Sequence, residues 1–311
     1  MVSISFEELF DPHFMESLHH LRVVAGRVPM GGRFAEQRSK DLGHGIEFRD
    51  FRPYAVGDDL RAVDWNIYRR LGRVFLRLFE EMEDLPVYLM PDLSRSGFLD
   101  EAPGDPGRPL RAHVGLRCSL ALGAIALGQH DSVGLFPFSD DVKVAMRPQS
   151  GSGRTMTLAK QLARLEPGGG TDLAQSLKKF GAMNLRRGLV VVISDFFDPA
   201  GIEAVTKALG RVRHELVLVR LVRAGDSDPT EAGAPGSIDG DLRLVDAESG
   251  ETRDLSITPE ALNAYRSAYT RFRDGLADFA QRRRAGLLEL DVDGDIVEQL
   301  GSLFEGGRYE A

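Results

Sequence analysis

Three short segments, far apart in the chain, carry oxygen donors in a pattern suited to a metal ion. They are Asp92-Leu93-Ser94-Arg95-Ser96, Gly168-Gly169-Gly170-Thr171-Asp172 and Ile193-Ser194-Asp195. Between them they offer carboxylates at Asp92 and Asp195 and hydroxyls at Ser94, Ser96 and Thr171, with no thiol or imidazole. Hard oxygen ligands suit Mg²⁺ or Mn²⁺ and disfavour Zn²⁺. Neutral hydroxyls leave most of the cation's charge uncompensated. Such a site is suited to recruit an external carboxylate, which is binding rather than catalysis. Each segment alone also has a local explanation. Asp92, Ser94 and Ser96 could cap a following helix, Thr171 or Asp172 the helix from Leu173, and Asp195 could bond its own turn. All three in order, each at a strand or loop end, favour the joint site.

The elements that must position these residues are legible in the hydrophobic pattern. Leu85 to Met90 and Leu189 to Ile193 are apolar runs that predict buried strands ending at Asp92 and Asp195. Further strands are expected at 132–139, 214–222 and 286–291, with an antiparallel one over Asp141 to Arg147. Helices are expected at about 111–128, 153–165, 173–183, 200–210, 259–284 and 295–304. Strands alternating with helices imply crossover units and a mostly parallel sheet flanked by helices, an α/β fold. The carboxyl ends of such strands are where ligands bind. The helix from 259 is the clearest: Thr258 caps it, Pro259 opens it, and Leu262, Tyr265, Tyr269, Phe272, Leu276 and Phe279 form one stripe.

Residues 1–84 read as a separate, small α+β appendage, and 85–305 as the main domain. A helix is expected from Pro12 to about Ala25, with Phe14, Leu18 and Leu21 at helical spacing. Arg73 to Phe79 is rich in strand formers. A polar insertion at about 223–256 holds two strand-like runs around Glu248-Ser249-Gly250, which predicts a β-hairpin.

Composition sets the bounds. Acidic residues (47) exceed Lys plus Arg (39), for a net charge of -8. This argues against a general nucleic-acid binder, whose affinity comes from neutralising phosphates. The single cysteine, Cys118, excludes a disulfide within the monomer and any Cys-based metal site, and fits a reducing, cytoplasmic setting. The longest apolar run in a helical segment, Ser119 to Gly128, is about half the length of a membrane span. No signal peptide is visible at the N-terminus.

The site segments resemble the metal-ion-dependent adhesion site of von Willebrand factor type A domains. More specifically, the chain resembles the bacterial "domain of unknown function 58" family. The resemblance rests on Gly43 to Trp65 and Glu80 to Gly97, on Asp131 to Leu135 and Gly169 to Leu173, and on Arg187 to Phe196 and Asp246 to Glu251. It implies a von Willebrand A-like, Rossmann-like sheet with Mg²⁺ (or Mn²⁺) at its top. It further implies Ser94, Ser96 and Thr171 as direct ligands, with Asp92 and Asp195 binding directly or through water. An open position would take a partner protein's carboxylate. Members of the family often accompany MoxR-type AAA+ ATPases, which implies an adaptor or co-chaperone role beside such an ATPase.

The alternative is a Mg²⁺-dependent hydrolase of phosphate esters using the same carboxylates. Such chemistry adds a positioned base or a cationic clamp, and the site loops supply only Arg95 as an obvious cation. The expectation is therefore no enzymatic activity. Glu47, Asp50, Asp58, Asp59 and Asp64 could form a second acidic or docking site. The turn chemistry favours an ion-paired loop anchored by Trp65. Asp291 to Asp295 lacks the glycine and glutamate positions of a calcium loop and reads as a strand end and helix cap. Gly151 to Thr155 lacks the lysine of a phosphate loop.

Overall fold

The computed structural model describes residues 6–25, 47–55, 58, 63–80, 84–99, 108–230, 240–246 and 250–305. They fall into two compact units, one of residues 28–84 and one of residues 1–27 with 85–311.

In the smaller unit, β1 (Glu47–Pro53) and β2 (Phe75–Glu80) pair antiparallel. Between them lies α3 (Trp65–Leu71); α1 (Phe6–Leu9) and α2 (Pro12–Ala25) precede both strands in the chain. Asp64 starts α3 by accepting from the N–H groups of Asn66 (2.8 Å) and Ile67 (3.1 Å). Gly72 ends it in the left-handed conformation, φ 65°. Asp58 is held by both guanidinium nitrogens of Arg52, at 2.8 and 2.6 Å, so the ion-paired reading of this segment fits its described part. Trp65, however, is 59% exposed and is no anchor; Val63 and Leu76 are buried apolar residues here. The Gly26–Gly45 stretch and Asp59 lie outside the described residues.

The grouping of the first helix with residues 28–84 is corrected. Leu9, Phe10, Phe14, Leu18 and Leu21 are buried. They form an apolar stripe that must be covered, and α2 packs on helices of the larger unit. Arg117 of that unit donates to Leu9 O (2.6 Å) and pairs with Asp11 (2.5 Å).

The larger unit is the expected α/β fold. Its strands are β3 (Pro86–Pro91), β4 (Ser132–Leu135), β5 (Met146–Gln149), β6 (Leu189–Ser194), β7 (Glu215–Val222) and β10 (Gly286–Asp291). They pair in the order β10-β7-β6-β3-β4-β5, and only β5 is antiparallel to its neighbour. The regular β4 ladder ends at Leu135, short of the expected 139, because Pro137 has no N–H to donate. Phe136 and Phe138 still donate to Leu89 O (2.8 Å) and Pro91 O (3.0 Å). The antiparallel strand begins later than expected, and Val142 makes only a single bridge to Phe138. β8 (Gly240–Val245) and β9 (Thr252–Ile257) form the expected hairpin.

Helices cover both faces. α4 (Arg111–Gly128) lies on one face with Gly115 against Ile193 and Leu221, and Gly123 against Leu89 and Leu158. A Cβ on Gly123 would sit 2.4 Å from Leu158 Cδ2, so glycine permits this close approach. α5 (Thr155–Leu162) packs beside α4. α6 (Leu173–Ala182), α7 (Ile202–Leu209) and α8 (Pro259–Arg283) cover the other face. Their Leu177, Phe180, Leu209, Leu276 and Phe279 join Tyr88, Val190, Val192 and Leu218 of the sheet in one core. Only the last part of the α8 stripe is buried; Tyr265 is 41% exposed. α9 (Ile296–Glu305) packs against α2, and Asp295 caps it by accepting from Glu298 N–H (2.8 Å). Asp291 to Asp295 is thus the strand end and helix cap the sequence predicts. Among the described residues, no helix is long and apolar enough to cross a membrane.

The connectivity fixes where a ligand can sit. From β3 the chain moves outward to β4 and β5, then returns to β6 on the other side of β3 and continues outward to β7 and β10. The order reverses between β3 and β6. A crevice opens at the carboxyl ends of strands flanking such a point. Asp92 and Asp195 stand at those two ends.

Candidate metal centre

The first and third segments meet through the sheet. β3 and β6 are in register up to Pro91 and Ile193, and the Asp92 N–H donates to Ile193 O (2.9 Å). Asp92 is then fixed from two sides. Its Oδ1 accepts from the Ser94 N–H (2.8 Å) and its Oδ2 from the Ser194 hydroxyl (2.6 Å). The Ser194 Oγ in turn accepts from the Phe196 N–H (2.9 Å). Ser194 was not predicted to have a role, although it lies inside the third segment.

Ser94 and Ser96 bring their hydroxyl oxygens to 3.2 Å from one another. Adjacent ligands of an octahedral Mg²⁺, at about 2.1 Å from the ion, lie roughly 3.0 Å apart. The pair therefore has close to the spacing that a shared small cation demands.

The glycine-rich segment docks on the first by backbone. Gly168 N–H donates to Leu93 O (2.7 Å), and Arg95 N–H to Gly169 O (3.1 Å). A Cβ on Gly168 would lie 2.3 Å from Ser139 Oγ, so a side chain there would push the loop away. Thr171 follows this docked stretch. Directly after it, the Asp172 N–H donates to Ser139 O (3.0 Å) and the Asp172 carboxylate caps α6 through Gln175 N–H (2.8 Å). Asp172 thus has the local role expected of a helix cap. The Leu173 N–H donates to Asp198 Oδ2 (3.0 Å), which ties this loop to the one after β6.

That loop turns sharply. Phe196 adopts φ 63°, unusual for a bulky residue, and is held there by burying its ring in the core. Asp195, one residue earlier, accepts from the Phe197 N–H (3.0 Å). Ser96 and Asp195 line a cleft of about 400 Å³ that also borders the loop to α7 and the hairpin residue Asp246.

Burial, and then the neighbouring Asp92 carboxylate, push Asp195 up to about 7. The Arg111 guanidinium pulls the other way. Arg111, the first residue of α4, is the charged group that sequence reasoning missed in favour of Arg95, which is exposed. It is buried and paired with Asp226, which also accepts from Arg223 N–H (2.8 Å). A cation in so apolar a helix was the signal available.

The raised Asp195 gives a pH prediction for the metal-free chain. An unfolded aspartate titrates near 3.9, so between about pH 4 and pH 7 the folded state binds more protons than the unfolded one. Stability contributed by this group is therefore lost as pH rises through that window, by up to about 1.4 kcal/mol per unit, and is level above it. In EDTA, Asp195→Asn removes this loss. Its stability advantage over wild type in urea melts should be small at pH 4.5 and largest at pH 8. An advantage that does not change with pH would refute the burial of this charge.

Among the described residues, no three His, Cys, Asp or Glu side chains group to hold a metal. A metal here must rest on two carboxylates and on hydroxyls, and the donor set fits a small hard cation. Asp92, Ser94, Ser96 and Asp195 would hold it, with Thr171 on the docked loop as the fifth donor. Bound there, the ion would supply an electrophilic point for a carboxylate.

Against known proteins, the chain is 25% identical to the uncharacterized protein Rv1480 of Mycobacterium tuberculosis over 291 residues, 93% of this chain and 88% of that one. A shorter uncharacterized protein of Mycobacterium avium is 28% identical over 166 residues, 52% of this chain and 94% of that protein. Similar solved structures include BatB from Bacteroides thetaiotaomicron, with TM-score 0.39 and 12% identity over 72% of this chain and 98% of that one. A von Willebrand factor type A protein from Catenulispora acidiphila matches with TM-score 0.35 and 10% identity, over 75% and 43% of the two chains. The model of the family described as "Protein of unknown function DUF58" matches residues 50–274, well over half of the sequence, and the chain belongs to that family.

Proposed function

We propose that this chain is a metal-dependent protein-binding module without catalysis of its own, acting in the cytoplasm as an adaptor or co-chaperone of a MoxR-type AAA+ ATPase. The observation that carries the reading is the pair of hydroxyls at 3.2 Å beside Asp92, at the point where the strand order reverses. Hydroxyl ligands leave Mg²⁺ or Mn²⁺ electrophilic, so a partner's Glu or Asp can complete its shell. The ATPase partner follows from the family resemblance. A hydrolase would need a free cationic clamp, and two buried cations near the site are engaged, Arg111 by Asp226 and Arg220 by Glu289.

The test is capture from source-cell lysate with and without EDTA, using wild type, Thr171→Ala and Ser94→Ala. An AAA+ ATPase should be retained by wild type in Mg²⁺ and lost in EDTA and with both variants. Circular dichroism of the metal-free variants should match wild type. Equal capture of that ATPase in all conditions would move the docking surface elsewhere, and turnover of phosphate esters in Mg²⁺ would overturn the absence of catalysis.

A further inference from the structure

The cleft that begins at Ser96 and Asp195 does not end there. Away from them its wall is apolar, built by Phe197, Pro199, Ile202 and Phe272. Phe197 and Phe272 stack at 4.8 Å with their planes 29° apart, and Phe197 is 42% exposed. An aromatic ring left this open, directly after a buried strand, forms a shelf that water covers poorly. Two further carboxylates border the same space, Asp198 and Asp246. Asp198 accepts from the N–H groups of Leu173 (3.0 Å) and Ala200 (2.8 Å), which fix its position. Asp246 comes from the hairpin, which therefore contributes to the cleft.

We infer that the cleft selects a partner segment in which one carboxylate residue adjoins a large apolar side chain, with no second acidic residue beside them. This rests on the metal reading above and gives it specificity. The partner's carboxylate completes the cation's shell next to Ser96 and Asp195. The adjoining apolar side chain lies on the Phe197–Phe272 shelf and displaces its water. A second acidic residue would meet the Asp198 carboxylate and be repelled, whereas a basic one would be favoured. The occupant is thus an acidic–apolar dipeptide in a neutral or basic context.

The probes are biotinylated peptides on a streptavidin surface, each with a glycine-serine flank, carrying Glu-Phe, Glu-Ala, Gln-Phe, Glu-Phe-Lys or Glu-Phe-Glu at the centre. The full chain is flowed over them in Mg²⁺ and in EDTA, and its melting is followed in parallel with and without Mg²⁺. Burying a phenylalanine side chain predicts that Glu-Phe binds about tenfold or more tightly than Glu-Ala. Gln-Phe, and every peptide in EDTA, should fail to bind; Glu-Phe-Lys should outbind Glu-Phe-Glu. Phe197→Ala, a change at an exposed ring, should bring Glu-Phe down to the level of Glu-Ala and leave Glu-Ala unchanged. Equal binding of Glu-Phe and Glu-Ala in Mg²⁺, with the melt still metal-dependent, overturns the shelf and leaves the metal reading intact. Binding of Gln-Phe as strong as Glu-Phe, or undiminished in EDTA, overturns the acidic–apolar pairing. A melt indifferent to Mg²⁺ together with no peptide binding overturns the metal reading, and the inference with it.

Discussion

Asp226→Ala should cost the protein about 3–5 kcal/mol of stability, because it strips a buried arginine of its counter-ion. The side chains of Arg111 and Asp226 are 8% and 11% exposed. Arg111 Nη1 donates to Asp226 Oδ2 (3.0 Å) and to Leu221 O (3.1 Å), and Nη2 pairs with Asp226 Oδ1. With Asp226 gone, the guanidinium must stay charged in a poorly solvated place, since an arginine side chain does not give up its proton in a protein. Arg223 N–H loses its acceptor as well. A loss of this size is a large part of the 5–15 kcal/mol that holds a typical domain together. Arg111→Met alone should also destabilise, by leaving the carboxylate unpaired. The double variant Arg111→Met/Asp226→Leu should recover much of either loss, because a packed apolar pair of similar volume avoids desolvating both charges. Urea melts of the four proteins at one pH form the cycle. Single variants within about 0.5 kcal/mol of wild type, the range of ordinary surface changes, would show that the pair is not desolvated.

The same residues show where sequence reading stops. The central strands were legible because Leu189 to Ile193 and Pro86 to Met90 are continuous apolar runs, the pattern of a sheet buried on both faces. The last long helix was legible because Thr258 and Pro259 mark its start by local chemistry, and the structure has Thr258 Oγ1 accepting from Ala261 N–H (3.2 Å). Strand ends beyond Pro137 were not, since they depend on which neighbour supplies each bond. The membership of α2 was hidden for the same reason. Its stripe of Phe14, Leu18 and Leu21 shows that one face is buried and leaves open against which unit. At the site, donor types and their order could be read from the chain, but the second layer could not. Ser194 acts on Asp92 across 102 positions of sequence and Arg111 pairs across 115, and no local pattern encodes such partners. Trp65 misled because a tryptophan in a turn-rich segment suggests an anchor, whereas here the capping by Asp64 and Gly72 holds α3 without it.

In millimolar Mg²⁺ the protein should melt several degrees higher than in EDTA. A ligand at one hundred times its dissociation constant, bound only by the folded state, stabilises by about 2.7 kcal/mol. For a chain of this size each kcal/mol moves the midpoint by roughly 2–4 °C or slightly less. The expectation rests on chemistry already in place in the metal-free fold. Asp92 accepts from Ser94 N–H and Ser194 Oγ, Ser94 and Ser96 stand a ligand spacing apart, and Asp195 is destabilised as an anion by burial and by Asp92. A divalent cation relieves that repulsion, so part of its binding energy comes from the mutual repulsion of the two carboxylates. Asp92→Ala removes a donor and the repulsion together. It should erase the Mg²⁺-dependent shift, and in EDTA the loss of its bonds to Ser94 and Ser194 should lower the midpoint below wild type. Ser194→Ala separates the two effects. It keeps every proposed ligand and loosens Asp92, so it should shrink the shift without abolishing it. Ca²⁺, which prefers six to eight oxygens at 2.3–2.6 Å, should shift the midpoint less than Mg²⁺ or Mn²⁺ at equal concentration. Wild-type melts that coincide in Mg²⁺, Mn²⁺ and EDTA would mean that these oxygens only stitch the β3 and β6 loops together.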